Sequence, residues 1–191
     1  MLGIFTSFSM SDDFYIREFA SGDSVSAITA LLRAAYGSLA ASGFRYLASH
    51  QDEAMTRHRL RSGIAFVAED RGDIIGTVTL YRPSSGLLCE WYRQPTVYHF
   101  GQFAVRADLQ RRGIGSRIYE HVEAFARSLG VAELALDTAE GAFHLRRWYE
   151  RLGFRFVQFI SWDETNYRSV ILSKALNKMP NTGLEPPATA P

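Results

Sequence analysis

The feature that most constrains this chain is a strand, a glycine-containing turn, a helix and a second strand in direct succession between residues 100 and 136. Phe100 to Val105 reads as a strand, and Gln110-Arg111-Arg112-Gly113-Ile114-Gly115 as the turn. Ile118, Val122, Phe125 and Leu129 then recur at helical spacing, and Gly130 closes the helix. Val131 to Leu136 is a short apolar strand. Two strands joined through a helix run parallel, and the crossover is right-handed. A parallel pair must therefore lie at the centre of whatever sheet the chain forms.

The flanking segments add antiparallel strands. Phe14 to Phe19 reads as a strand, followed by a helix capped by Asp23 or Ser24, with Val25, Ile28, Leu31, Leu32 and Ala35 on one face. Ser49 and Asp52 have capping-box spacing for a second helix ending near Arg61. Ile64 to Ala68 and Ile74 to Tyr81 make a hairpin around Asp70-Arg71-Gly72-Asp73, and a long loop runs from Arg82 to Tyr98. After the central unit, Leu145, Trp148, Tyr149 and Leu152 mark a helix closed by Gly153. Phe154 to Ile160 and Arg168 to Leu172 form a last hairpin. The expected fold is α/β (α+β): one mixed, mostly antiparallel twisted sheet with a parallel core and helices on both faces.

Composition narrows the function classes. The 191 residues carry a net charge of +1, which gives no bulk attraction to nucleic acid or to an anionic membrane. The single cysteine, Cys89, excludes an intrachain disulfide framework and a multi-cysteine zinc site, and no metal is expected. No apolar run approaches the roughly 20 residues that span a bilayer. These features point to a cytoplasmic protein. Residues 1–12 are expected to be flexible, and the Pro-rich stretch 177–191 to be a disordered tail.

A turn that enters a helix directly behind a strand aims backbone N–H groups and the positive end of the helix dipole at one spot, which suits phosphate. A Walker loop is excluded, because Gly115 is followed by Ser116 and Arg117 instead of Lys and Ser or Thr. A dinucleotide fingerprint is excluded as well, because Ile118 stands where its third glycine belongs. The remaining reading is a Gln/Arg-x-x-Gly-x-Gly turn. Together with Trp148-Tyr149-Glu150-Arg151-Leu152-Gly153-Phe154, it makes the chain resemble the GCN5-related N-acetyltransferase (GNAT) superfamily from about Asp12 to Leu176.

That resemblance implies a single N-acetyltransferase domain at 13–176 that uses acetyl-CoA as co-substrate, with the central parallel strands splayed to admit pantetheine. It implies pyrophosphate binding by the backbone of Gln110, Arg111, Arg112, Gly113, Ile114, Gly115 and Ser116. It also implies pantetheine bonding along Phe103, Ala104 and Val105. Ala142 stands where the family often carries an asparagine, and His144 is a speculative replacement for that contact. Tyr149 matches the signature tyrosine and is the candidate acid for the departing thiolate; alternatively it packs as core beside Trp148.

For the base, His99 occupies the position, eleven residues before Gln110, where the histone-acetylating branch places a glutamate. Glu90 is the next candidate, with Asp137 behind it at the end of its strand. Trp91, Tyr92 and Tyr98 could line an amine pocket, pack the hairpin or form a homodimer contact. The acceptor is expected to be a small primary amine, with a protein lysine or N-terminus as alternative. A catalytically silent CoA-binding regulatory module is the alternative of another class.

Overall fold

The computed structural model describes residues 14–176. The expectations for residues 1–12 and 177–191 fall outside the described residues. One seven-stranded sheet has the order β1-β2-β3-β4-β5-β7-β6, built from β1 (Tyr15–Glu18), β2 (Ile64–Asp70), β3 (Asp73–Tyr81), β4 (Val97–Val105), β5 (Glu133–Ala139), β6 (Arg155–Ser161) and β7 (Arg168–Ala175). Every pairing is antiparallel except β4 with β5, the pair that the helical crossover requires.

Helices cover both faces. Val25, Ile28, Leu31 and Leu32 of α1 (Val25–Ala41) pack with Leu60 of α2 (Glu53–Arg61) against Ala65, Val67 and Ala104. A four-residue helix, α3 (Glu90–Arg93), interrupts the loop after β3. On the opposite face, Ile114, Ile118 and Val122 of α4 (Ile114–Ser128) and Tyr149 of α5 (Phe143–Arg151) pack on Val78, Leu80, Leu134 and Leu136.

Several local expectations are refined by what each side chain contacts. Ser24 caps α1, because Asp23 is committed to Arg17 through two bonds of 2.6 and 2.8 Å. Asp52 itself caps α2, and Ser49 donates to the carbonyl of Tyr46 instead of forming a capping box. The strand expected from Phe100 begins earlier, at Val97. Leu129 is the C-cap of α4 and is exposed. The hairpin turn is as read, with Arg71 and Gly72 both at positive φ (52° and 89°), the twist that suits a two-residue connection.

Arg17 also holds Glu69 at 2.6 Å, fastening β1 and the entry to α1 onto β2. Hydrogen bonding to Arg17 keeps the Asp23 carboxyl below its ordinary range. A depressed carboxyl stabilises the fold fully above the unfolded value near 4 and loses that contribution as pH falls through the folded value. Arg17→Met is therefore expected to lower the melting temperature at pH 7 and to differ less from wild type as pH falls below about 4. Thermal melts at the two pH values check this.

Candidate active site

β4 and β5 separate soon after they meet. Their pairing covers only Val97 with Glu133, Tyr98 with Leu134 and His99 with Ala135, although both strands continue for several residues. The cause lies in β4. Gly101 pairs with Thr79 and Ala104 with Thr77, so Gln102 and Phe103 together oppose Val78 alone. This is a β-bulge, which bends and twists its strand. Gln102 adopts φ 49°, a left-handed conformation that costs a non-glycine residue on the order of 1–2 kcal/mol. Its side chain is locked by the Gln51 amide at 2.9 Å and directed at Thr79 at 3.4 Å.

The splay leaves strand-edge groups without partners, and tyrosines of the α1 side supply some of them. The Tyr36 hydroxyl donates to the Phe103 carbonyl at 3.1 Å. The Tyr46 hydroxyl accepts the Ala139 amide at 2.9 Å and bonds Thr138 Oγ1 at 2.8 Å. Gln110 Nε2 donates to the Val105 carbonyl at 3.2 Å.

Beside this opening lies a cavity of about 640 Å³. Phe103, Ala104 and Val105 form its β4 wall; Gln110, Arg111, Gly113, Gly115 and Ser116 form one end; His144, Trp148 and Tyr149 of α5 face them. Ala35, Tyr36, Ser38 and Leu39 of α1 complete it. At the turn, Arg111 and Gly113 both take positive φ (62° and 83°), and no side chain caps α4. The first intrahelical bond is Arg117 N–H to Gly113 O, so the amides of Gly113 to Ser116 precede the helical ladder. A Cβ at Gly115 would point toward Val105 and Phe103, at 3.7 and 3.8 Å, across the cavity wall. Uncapped amides, a dipole end and a glycine at the wall fit a diphosphate followed by an extended chain along β4.

The second motif has a structural explanation. Gly153 takes φ 91°, and Phe154 N–H returns to the Tyr149 carbonyl at 3.0 Å, ending α5. That return seats the Phe154 ring 5.6 Å from the Tyr149 ring, while Trp148 and Phe100 flank it at 4.8 and 6.2 Å. Tyr149 is thus both core and cavity wall. Burial raises its phenol well above the ordinary value, so it stays protonated.

Not every expected site residue lies at the cavity. Ile114 turns its side chain into the core and can offer only its amide. Arg112 is exposed and Ala142 is the buried N-cap of α5; neither lines the cavity. Glu90 is exposed, 3.5 Å from Arg93, and away from the cavity. His99 lies where β4 and β5 are still paired, stacked between Tyr92 (centroids 4.0 Å apart) and Tyr81 (5.1 Å). Burial and the Arg59 charge push its imidazole down to about 3, so at neutral pH it is uncharged and a weak base. Tyr92 and Trp91 pack in a cluster with Cys89, Val97, Ala135 and Ile171.

Asp137 does not line the cavity either, but it is buried on the strand that faces the splay. It lies two residues beyond Ala135 on β5, level with Gly101 across the splay. Its carboxylate accepts from Trp162 Nε1 (3.1 Å), Ser169 Oγ (3.3 Å) and the Tyr92 hydroxyl (3.4 Å). Burial raises this carboxyl despite those donors.

The family model "Acetyltransferase (GNAT) family" matches residues 26–154. The chain belongs to this family. It is an acetyl-CoA-dependent N-acetyltransferase. Among curated relatives, it is 32% identical over 125 residues to S-(2-succino)cysteine N-acetyltransferase of Bacillus subtilis, covering 63% of this chain and 72% of that one. Solved structures share the family fold. The ribosomal-protein-S18-alanine N-acetyltransferase of Escherichia coli matches with TM-score 0.66 and 16% identity over 89% of this chain and 98% of that one. A GNAT acetyltransferase of Elizabethkingia anophelis with acetyl-CoA bound matches with TM-score 0.62 and 17% identity over 86% and 99%. Among the described residues, no helix is long and apolar enough to cross a membrane.

Proposed function

We propose that this enzyme acetylates the primary amine of a small molecule by direct attack within a ternary complex. The observation that carries the reading is the splay itself, with the cavity and Tyr149 on one side and the buried carboxylate of Asp137 across the opening. The curated relative, whose named acceptor is a small molecule, supports the same acceptor class.

Bound acetyl-CoA supplies an acyl group activated as a thioester. The residues that would hold it are the Gly113 to Ser116 amides at the diphosphate and the Phe103 to Val105 edge along the pantetheine. An alkyl ammonium has a pKa of about 10 and no free lone pair at neutral pH, so a proton must leave as nitrogen attacks. Asp137 is the proposed acceptor of that proton: burial makes it more basic than an exposed aspartate, and its three donors fix its direction. The Tyr149 phenol, protonated throughout the physiological range, is the proposed donor to the departing sulfur. His99 and Tyr92 stack on each other where β4 and β5 are still paired, closing that end of the splay.

The reading is tested by following CoA release with acetyl-CoA against small primary amines and against lysine and N-terminal peptides. Higher kcat/KM for the small amines supports it. Preference for peptides would move the acceptor to protein, and no turnover with any amine would leave a silent CoA-binding module. Asp137→Asn is expected to cut kcat/KM by about 30-fold or more. The same change should leave the melting temperature at pH 7 equal or raised, because it removes a buried charge whose ionised form the fold disfavours. Parallel melts and kinetics check the two halves.

A further inference from the structure

The α2 side of the splay carries a cation that the reaction scheme does not use. Nη1 of Arg59 donates to the neutral Gln51 Oε1 at 2.7 Å. Its Nη2 hangs over Gly101, 3.5 Å from where a Cβ would stand, and has no acceptor among the described residues. Arg59 forms no ion pair among them either.

The guanidinium is built into place. Gln51 is buried and divides its side chain between Arg59, Thr56 (2.7 Å) and the bulged Gln102 (2.9 Å). The bulge that opens the splay and the side chain that aims Arg59 therefore belong to one hydrogen-bonded chain. A Cβ at Gly101 would make ordinary van der Waals contact with both Nη2 and the Tyr81 ring, 3.4 Å away, which places the guanidinium directly over this stretch of β4.

Continued two residues past its last pair, His99 with Ala135, the β4–β5 register brings Asp137 level with Gly101, and Asp137 and Arg59 form no ion pair with each other. On the paired residues Tyr81 of β3 and His99 of β4, the hydroxyl and Nδ1 are buried polar atoms with no partner among the described residues. Opposite charges on one face of the sheet, with unpartnered polar atoms beside them, match a ligand carrying both charges.

We infer that Arg59 binds a carboxylate of the acceptor while Asp137 takes its amine, which makes the acceptor class a small amino acid and Arg59 a specificity-determining residue. Arg59 suits this task better than lysine would, because its planar fork can pair bidentately with a carboxylate while Nη1 stays on Gln51. Polycationic amines are disfavoured by the same charge. The inference rests on the reading of a small-molecule acceptor.

The test measures kcat/KM for a set of L-amino acids, their primary amides and the matching decarboxylated amines, with wild type, Arg59→Met and Arg59→Lys. The readout is amino-acid over amide selectivity in each variant relative to wild type, which cancels intrinsic nucleophilicity and any general loss of folded enzyme. A fall of about tenfold or more in Arg59→Met, through KM for the amino acids, with partial retention in Arg59→Lys, is the expected result. Equal losses for amino acids and amides in Arg59→Met would overturn the inference while leaving small-amine acetylation standing. Absence of turnover with every small amine, in wild type that acetyl-CoA still protects against melting, would instead overturn the underlying reading and this one with it.

Discussion

Gly115→Glu is expected to raise KM for acetyl-CoA at least 100-fold while leaving the melting temperature unchanged or slightly higher. The two effects separate if, in the proposed binding mode, the residue serves the ligand and not the fold. A Cβ at this position meets only ordinary contacts, 3.7 Å from Val105 and 3.8 Å from Phe103. Replacing glycine in the first turn of α4 removes a helix penalty of about 1 kcal/mol, and an acidic side chain there adds about 0.3–1 kcal/mol by complementing the dipole. The same carboxylate would occupy the wall along which the proposed binding mode runs the diphosphate. Unit charges 4 Å apart at an effective dielectric of 20 repel by about 4 kcal/mol, more than the roughly 2.7 kcal/mol that a 100-fold change requires. Gly115→Ala, which adds bulk without charge, should fall between. Isothermal titration with CoA alongside thermal melts checks the prediction; a loss of melting temperature equal to the loss of affinity would show that the glycine is needed for folding.

Tyr149→Phe is expected to lower kcat by about 10- to 100-fold with KM for acetyl-CoA within about threefold of wild type. The ring is enclosed by Phe100, Trp148 and Phe154, and phenylalanine preserves that packing. The hydroxyl is the only group removed, so a kinetic deficit reports chemistry at the sulfur end. The pH profile sharpens the point. Burial holds the phenol above 10, and a raised acid stays protonated until pH passes its folded value. Wild-type kcat should therefore show no descending limb from this residue below pH 10. A limb near pH 8 that disappears in Tyr149→Phe would contradict the assignment of burial as the controlling factor. An unchanged kcat in the variant would remove Tyr149 as the proton donor and leave it a packing residue.

The residues legible in the sequence were those whose work is local. The turn at Gly113 needs φ 83°, and the end of α5 at Gly153 needs φ 91°; both demands fall on single residues, and glycine announces them. Tyr149 was legible for a related reason. Its distance from Gly153 and Phe154 is set by one helix end, which also packs Phe154 onto its ring.

The proposed acceptor side was less legible, because it is assembled from segments far apart in the chain. Gln51, Gln102 and Thr79 meet around a bulge that no glycine marks; a left-handed Gln102 is tolerated only because two tertiary partners hold its side chain. His99 looked like a neutral-pH base because an exposed imidazole titrates near 6.5. Enclosed by Tyr81 and Tyr92 beside Arg59, it does so near 3. Asp137 ranked as a base candidate only behind His99 and Glu90, and the extended β4–β5 register, which brings it level with Gly101 where β4 has bent away, is what moves it ahead of them in the proposed mechanism.

By itself, then, the amino-acid order determined the parallel crossover at 100–136, the glycine turn that opens α4 and the tyrosine helix, since each depends on backbone conformations and spacings within one element. Only the tertiary structure decided which charged groups face the opening between β4 and β5. Burial and strand register, which no local pattern encodes, set both the basicity of Asp137 and the reach of Arg59.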